Sequence, residues 1–124
     1  MIKVINLMIG GVAGTLARYA LSGVIYRLFG IGFPYGTFVV NISGCFIVGF
    51  LVSLAEKKFV LNEQLRLLLM VGFCGAFTTF STFILETNNL VKDGEFLKAL
   101  LNIFLSVVVG FIVFRLGSYI GEII

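Results

Sequence analysis

The chain has 124 residues, 60% of them apolar and only 12% charged, with a formal charge of +3 and a mean hydropathy of +1.14. A soluble domain carries roughly 25% charged residues, so the deficit identifies lipid as the solvent and excludes a disordered tail, a nucleic-acid module and a disulfide-stapled secreted fold. A spanning helix needs about 20 residues, which leaves room for about four helices joined by short loops and no soluble domain beside them, so residues 1–124 read as a single four-helix transmembrane unit.

The first segment runs from Val4 to Phe29, holds Arg18, and ends at Arg27 and the Gly30-Ile31-Gly32-Phe33-Pro34 turn. Lys3 ahead of it imitates a signal peptide, but no small-x-small cleavage site follows, so the segment is read as a span. The second runs from Tyr35 to Ala55 and stops at Glu56-Lys57-Lys58. The third is free of charge from Leu67 to Leu85, meets Glu86, and ends near Lys92-Asp93-Gly94-Glu95. The fourth covers Ala99 to Ile120 and holds Arg115. An open sheet would leave unsatisfied edges in lipid, and the alternating short strands of a barrel are absent, so the expected class is an all-α membrane protein.

An even number of spans puts both termini on one side with the loop between the second and third segments. Lys3, Lys57, Lys58 and Arg66 lie there, with Arg115 near that end, against Arg27, Lys92 and Lys98 on the other side. A bias this small either just suffices to orient the chain or leaves it to insert both ways and assemble as an antiparallel dimer.

Polar residues kept among apolar neighbours carry the functional signal, because lipid makes them costly unless they face a partner helix or a wet cavity. Gly10 and Gly14 form a small-xxx-small pair, and Arg18 continues that stripe as either an interface anchor or a positive charge at an aqueous vestibule. Asn41, Cys45 and Gly49 share one helix face, where the amide either glues helices together or offers N–H donors to a passing solute. In Gly72-Phe73-Cys74-Gly75-Ala76-Phe77-Thr78-Thr79-Phe80-Ser81-Thr82-Phe83, the glycines and hydroxyls make a poor helix interior. Either the helix merely kinks, or it breaks and frees backbone carbonyls suited to a hard monovalent cation. Phe80 and Phe83 point the same way if helix resumes there; such rings pack on lipid or core, or offer their positive edges to a small anion. Glu86, one turn on, is an interfacial group or part of a pore mouth, and Asn102, Ser106 and Gly110 form a polar-to-small stripe. Cys45 and Cys74 with no His make no usual zinc site, and no nucleotide motif, catalytic triad or paired carboxylates are present, so an enzyme is not expected. The first segment has no buried acid to serve a proton-coupled exporter of organic cations, whereas neutral donors and ring edges favour passive conduction of a small anion.

These strings resemble the Fluc/CrcB family of fluoride channels. The likeness rests on Gly10-Gly11-x-x-Gly14-x-x-x-Arg18, on Gly36-Thr37-x-x-Val40-Asn41-x-x-Gly44 and above all on the Gly72–Phe83 string. It implies a bacterial cell-membrane channel that exports cytoplasmic fluoride passively, built as a dual-topology antiparallel homodimer with two pores, the third helix interrupted mid-membrane. It also implies a structural sodium ion at the dimer centre, held by the backbone carbonyls of Gly75 and Thr78 of both subunits. Phe80 and Phe83 would be the pore rings, with Asn41, Ser81 and Thr82 along the path, Glu86 near its mouth, Asn102 and Ser106 on the polar track, and Arg18 at the vestibule. Ala76 stands where many members have glycine, and Gly110 lacks the hydroxyl that some carry there. The alternatives from other classes are a small dual-topology multidrug exporter of organic cations and a non-conducting assembly partner.

Overall fold

The computed structural model describes residues 1–57 and 60–124; Lys58, expected at the end of the second segment, lies outside them. The chain forms α1 (Ile2–Phe29), α2 (Tyr35–Lys57), α3 (Glu63–Arg66), a π-helix (Leu67–Cys74), α4 (Gly75–Phe77), α5 (Phe80–Lys92) and α6 (Phe96–Ile123). Four helical stretches, Ile2–Phe29, Tyr35–Lys57, Glu63–Lys92 and Phe96–Ile123, are long and apolar enough to cross a membrane. The described residues are thus all-helical, and the protein is a multi-pass membrane protein.

Every helical stretch outlasts its apolar run by a few residues, because a charge ends hydrophobicity without ending the backbone ladder. α3 begins this way: the Asn62 side chain accepts the Leu65 N–H at 2.9 Å and satisfies one of the first-turn donors, four residues before the apolar run. Gly30 at the end of α1 has φ of +82°, a conformation that glycine adopts without penalty, and it turns the chain toward Pro34 and α2.

Lipid supplies no hydrophobic drive between helices, so close van der Waals approach must hold them together. α2 packs most extensively on α6, and α1 on the π-helix. Both seams are glycine-lined: a Cβ on Gly10 would stand 2.1 Å from the Leu68 carbonyl oxygen, and one on Gly49 2.2 Å from that of Phe114. The small core is centred on Val40, Cys74 and Phe77. One end gathers the α1 start and α3, where Lys3 pairs with Glu63 at 2.9 Å and the Asn6 amide donates to Gln64. At the other end Lys98, at the start of α6, donates to the Gly32 carbonyl at 3.2 Å. The helices therefore alternate in direction.

Candidate functional site

The helical run that starts at Glu63 stops at Phe77 and resumes at Phe80. Thr78 (φ −85°, ψ 157°) and Thr79 (φ −147°, ψ 120°) are extended. The glycines expected to weaken the helix do not form the break: Gly72 lies within the π-helix, and Gly75 is helical at φ −62°. Ala76 is likewise helical, and the positive-φ glycines are Gly30 and Gly94, so alanine there is accommodated without strain.

Each polar group at the break can be followed to a partner. Thr78 donates to the Cys74 carbonyl twice, from its N–H at 3.1 Å and its hydroxyl at 2.9 Å. The Asn41 amide of α2 mates with Thr79 as a second peptide would: Thr79 N–H donates to Oδ1 at 2.8 Å and Nδ2 donates to the Thr79 carbonyl at 3.0 Å. Thr79 also caps α5, its hydroxyl accepting the Thr82 N–H at 3.3 Å. Arg18 Nε of α1 donates to the Ala76 carbonyl at 3.1 Å, a cation at a helix C-terminus where the backbone dipole favours it. In an unbroken α-helix Thr79 N–H would serve Gly75 and Thr82 N–H would serve Thr78. Both donors are diverted, so the carbonyls of Gly75 and Thr78 lose their usual partners. Gly75 is exposed, and a Cβ placed on it would meet nothing within 4 Å. The carbonyls of Gly75 and Thr78 are thus neutral oxygens released from the helix ladder, and the described residues hold no group of metal-binding acids, histidines or cysteines.

Beside the break a groove of about 370 Å³ is lined by Asn41, Thr78, Thr79, Phe80, Phe83 and Ser106, among others. Phe80 and Phe83 lie with ring centroids 5.9 Å apart at 48°, Phe83 buried and Phe80 75% exposed. Ser81, Thr82, Glu86, Asn102 and Arg18 are not on this groove. Ser81 is exposed and Thr82 half-buried. Asn102, only 1% exposed, donates to the Thr87 hydroxyl at 2.8 Å, which itself donates to the Phe83 carbonyl at 2.8 Å. That chain of bonds clamps α6 to α5. Ser106 reaches back to Asn102 Oδ1 at 3.5 Å.

Tyr26 and Thr87 escaped the sequence reading. The Tyr26 hydroxyl donates to Glu86 Oε2 at 2.6 Å across a gap of 60 residues in sequence. No periodicity links such positions. Thr87 carried a weak signal, a hydroxyl next to the one acidic residue of α5.

The family model described as "CrcB-like protein, Camphor Resistance (CrcB)" matches residues 5–118. A fluoride-specific ion channel FluC of Desulforapulum autotrophicum is 43% identical over 122 residues, 98% of each chain. The FluC of Solidesulfovibrio magneticus is 44% identical over 116 residues, covering 94% of this chain and 93% of that one. That of Maridesulfovibrio salexigens is 43% identical over 122 residues, 98% of this chain and 97% of its own. Full-length likeness of this degree, over a chain whose helices break beside a groove of neutral dipoles and phenyl rings, makes this protein a member of the CrcB family.

Proposed function

We propose that the protein is a passive fluoride channel of the cell membrane, working as an antiparallel homodimer with a pore along each groove, its third span interrupted at membrane depth. The observation that carries this reading is the groove itself. It offers hydroxyl and amide groups and the phenyl rings of Phe80, Phe83 and Phe114 but no charged side chain, which suits a small anion that must lose water without being trapped. The relatives bear the name of fluoride-specific channels, and nothing in the groove favours the organic-cation exporter.

The exposure of Phe80 in one chain supports a second copy as the other wall of the pore. Asn41 and Ser106 face the ion directly, whereas Asn102 acts as a helix clamp. Ser81 and Thr82 open toward the partner's half of the path, and Arg18 draws anions toward the vestibule while capping the broken helix. Gly75 and Thr78 would hold the structural sodium through their carbonyls; one chain's pair cannot replace a hydration shell, so the partner brings another. When bound, that ion neutralises the carbonyl dipoles at the break.

Proteoliposomes holding only this chain and loaded with potassium fluoride should release it on addition of a potassium ionophore, as read by a fluoride electrode. Phe80→Ile and Phe83→Ile should each slow that release at least about tenfold, because an aliphatic side chain has no positive edge, while dimer size is retained. Sealed vesicles containing folded wild-type protein would overturn the channel, and unchanged flux in both variants would overturn the ring assignment.

A further inference from the structure

Glu86 is an anomaly for an anion channel. The other acidic residues, Glu56, Glu63, Asp93, Glu95 and Glu122, lie at helix ends or in connections. Glu86 lies within α5 and continues the Phe80–Phe83 stripe by another three-residue step. A carboxylate a few ångströms from a permeating anion repels it strongly where water is scarce.

The surroundings of Tyr26 show how that charge is managed. Gly36 leaves the hollow in which the ring sits: a Cβ there would stand 2.4 Å from Tyr26 Cε2. The Thr37 N–H, in the first turn of α2, points at the phenolic oxygen at 3.5 Å, and the Thr37 hydroxyl lies 3.4 Å from it. First-turn N–H groups have no carbonyl partner in their own helix, so the phenolic oxygen accepts here and its own proton is left for Glu86. The bond to Glu86 Oε2 is short, 2.6 Å, while Oε1 is buried with no hydrogen-bond partner. Among the described residues, Tyr26 is the side chain that fixes this carboxyl group.

We propose that Tyr26 is a positioning residue for conduction: its hydroxyl pins the Glu86 carboxylate against α1 and the start of α2, away from the path over Phe80 and Phe83. This rests on the channel reading above. Without the hydroxyl, nothing holds either oxygen, and the side chain turns toward the path and repels the ion.

The test is a mutant cycle read by fluoride efflux from proteoliposomes loaded with potassium fluoride. Tyr26→Phe keeps the ring and its packing on Gly36, and should slow efflux about tenfold, the scale of one poorly screened charge close to the ion. In a Glu86→Gln background, which sets its own baseline, the same substitution should change efflux less than about twofold, since no charge remains to be released. Gly36→Ala, which expels the ring, should show the same dependence on Glu86. Equal slowing in both backgrounds would mean that Tyr26 serves packing alone and would overturn the proposal, as would no slowing in either. A second arm does not depend on flux: the Glu86 carboxyl band, isolated as the infrared difference between wild type and Glu86→Gln, should shift in Tyr26→Phe, and an unshifted band overturns the tether. Sealed wild-type vesicles would instead overturn the channel reading, with the infrared arm still reporting on the bond.

Discussion

Asn41 shows how one side chain can satisfy the backbone of a broken helix. A peptide unit removed from its ladder leaves a donor and an acceptor, each expensive to bury unpaired. The amide is the side chain whose donor and acceptor match both at once, and Asn41 meets the Thr79 N–H and carbonyl at 2.8 and 3.0 Å. Aspartate keeps the acceptor but loses the donor, and sets a negative oxygen against the Thr79 carbonyl. Asn41→Asp should therefore lower the unfolding midpoint in detergent, by about 1–3 kcal/mol of stability, and abolish fluoride efflux. An aspartate variant that melts and conducts as wild type would show that the break does not lean on this pair. Asn41 stood out in sequence because an amide on a small-residue face of an apolar helix needs a partner. The partner itself was illegible, since it lies 38 residues away and is backbone rather than side chain. The same holds for Arg18, whose charge was conspicuous and whose acceptor, the Ala76 carbonyl, carries no side-chain signature.

At the scale of helices, hydropathy located the spans and hydroxyls marked the neighbourhood of the break, but neither revealed the π-helix at Leu67–Cys74. Leu and Met suit α and π registers alike, and the wider register appears where α1 presses its glycines onto the backbone of that segment. Nor did composition tell which residue would break: Gly72, packed against α1, and the exposed Gly75 both stay helical, while Thr78 and Thr79 leave the helix where Asn41 takes the ladder's place. The glycine seams allow a test with opposite signs. A Cβ on Gly49 would lie 2.2 Å from the Phe114 carbonyl oxygen, so Gly49→Ala should force α2 from α6 and cost about 1–3 kcal/mol. A Cβ on Gly23 would meet nothing within 4 Å, so Gly23→Ala should leave the melting temperature unchanged or raise it, as alanine favours helix by about 1 kcal/mol. Equal losses in thermal melts of the two variants would mean that the α2–α6 seam is not set by backbone approach.

For the whole molecule the antiparallel assembly proposed above requires one sequence to supply both walls of a pore. Orientation in a membrane follows the Lys and Arg content of short connections and helix ends. The Lys3–Glu63 pair and the Lys98 bond to Gly32 fix which groups share an end: Lys3, Lys57 and Arg66 at one, Arg27, Lys92 and Lys98 at the other. With Arg115 near the first end, the described residues there outnumber the other end by four to three, a bias small enough that the antiparallel reading expects copies of both orientations to accumulate. In the antiparallel assembly proposed above, the open face at Gly75 and the 75% exposed Phe80 ring would be covered by a copy inserted the other way. Three lysines added before Met1 should commit the chain to one orientation, and fluoride efflux from cells expressing it alone should fall to background. Three lysines placed instead at Gly94 should commit it to the other, again without efflux. Producing the two together should restore release, because each supplies the wall that the other lacks. Full efflux from either biased chain alone, with its single orientation verified by labelling a terminal cysteine from outside, would show that parallel copies suffice and would end the antiparallel assembly.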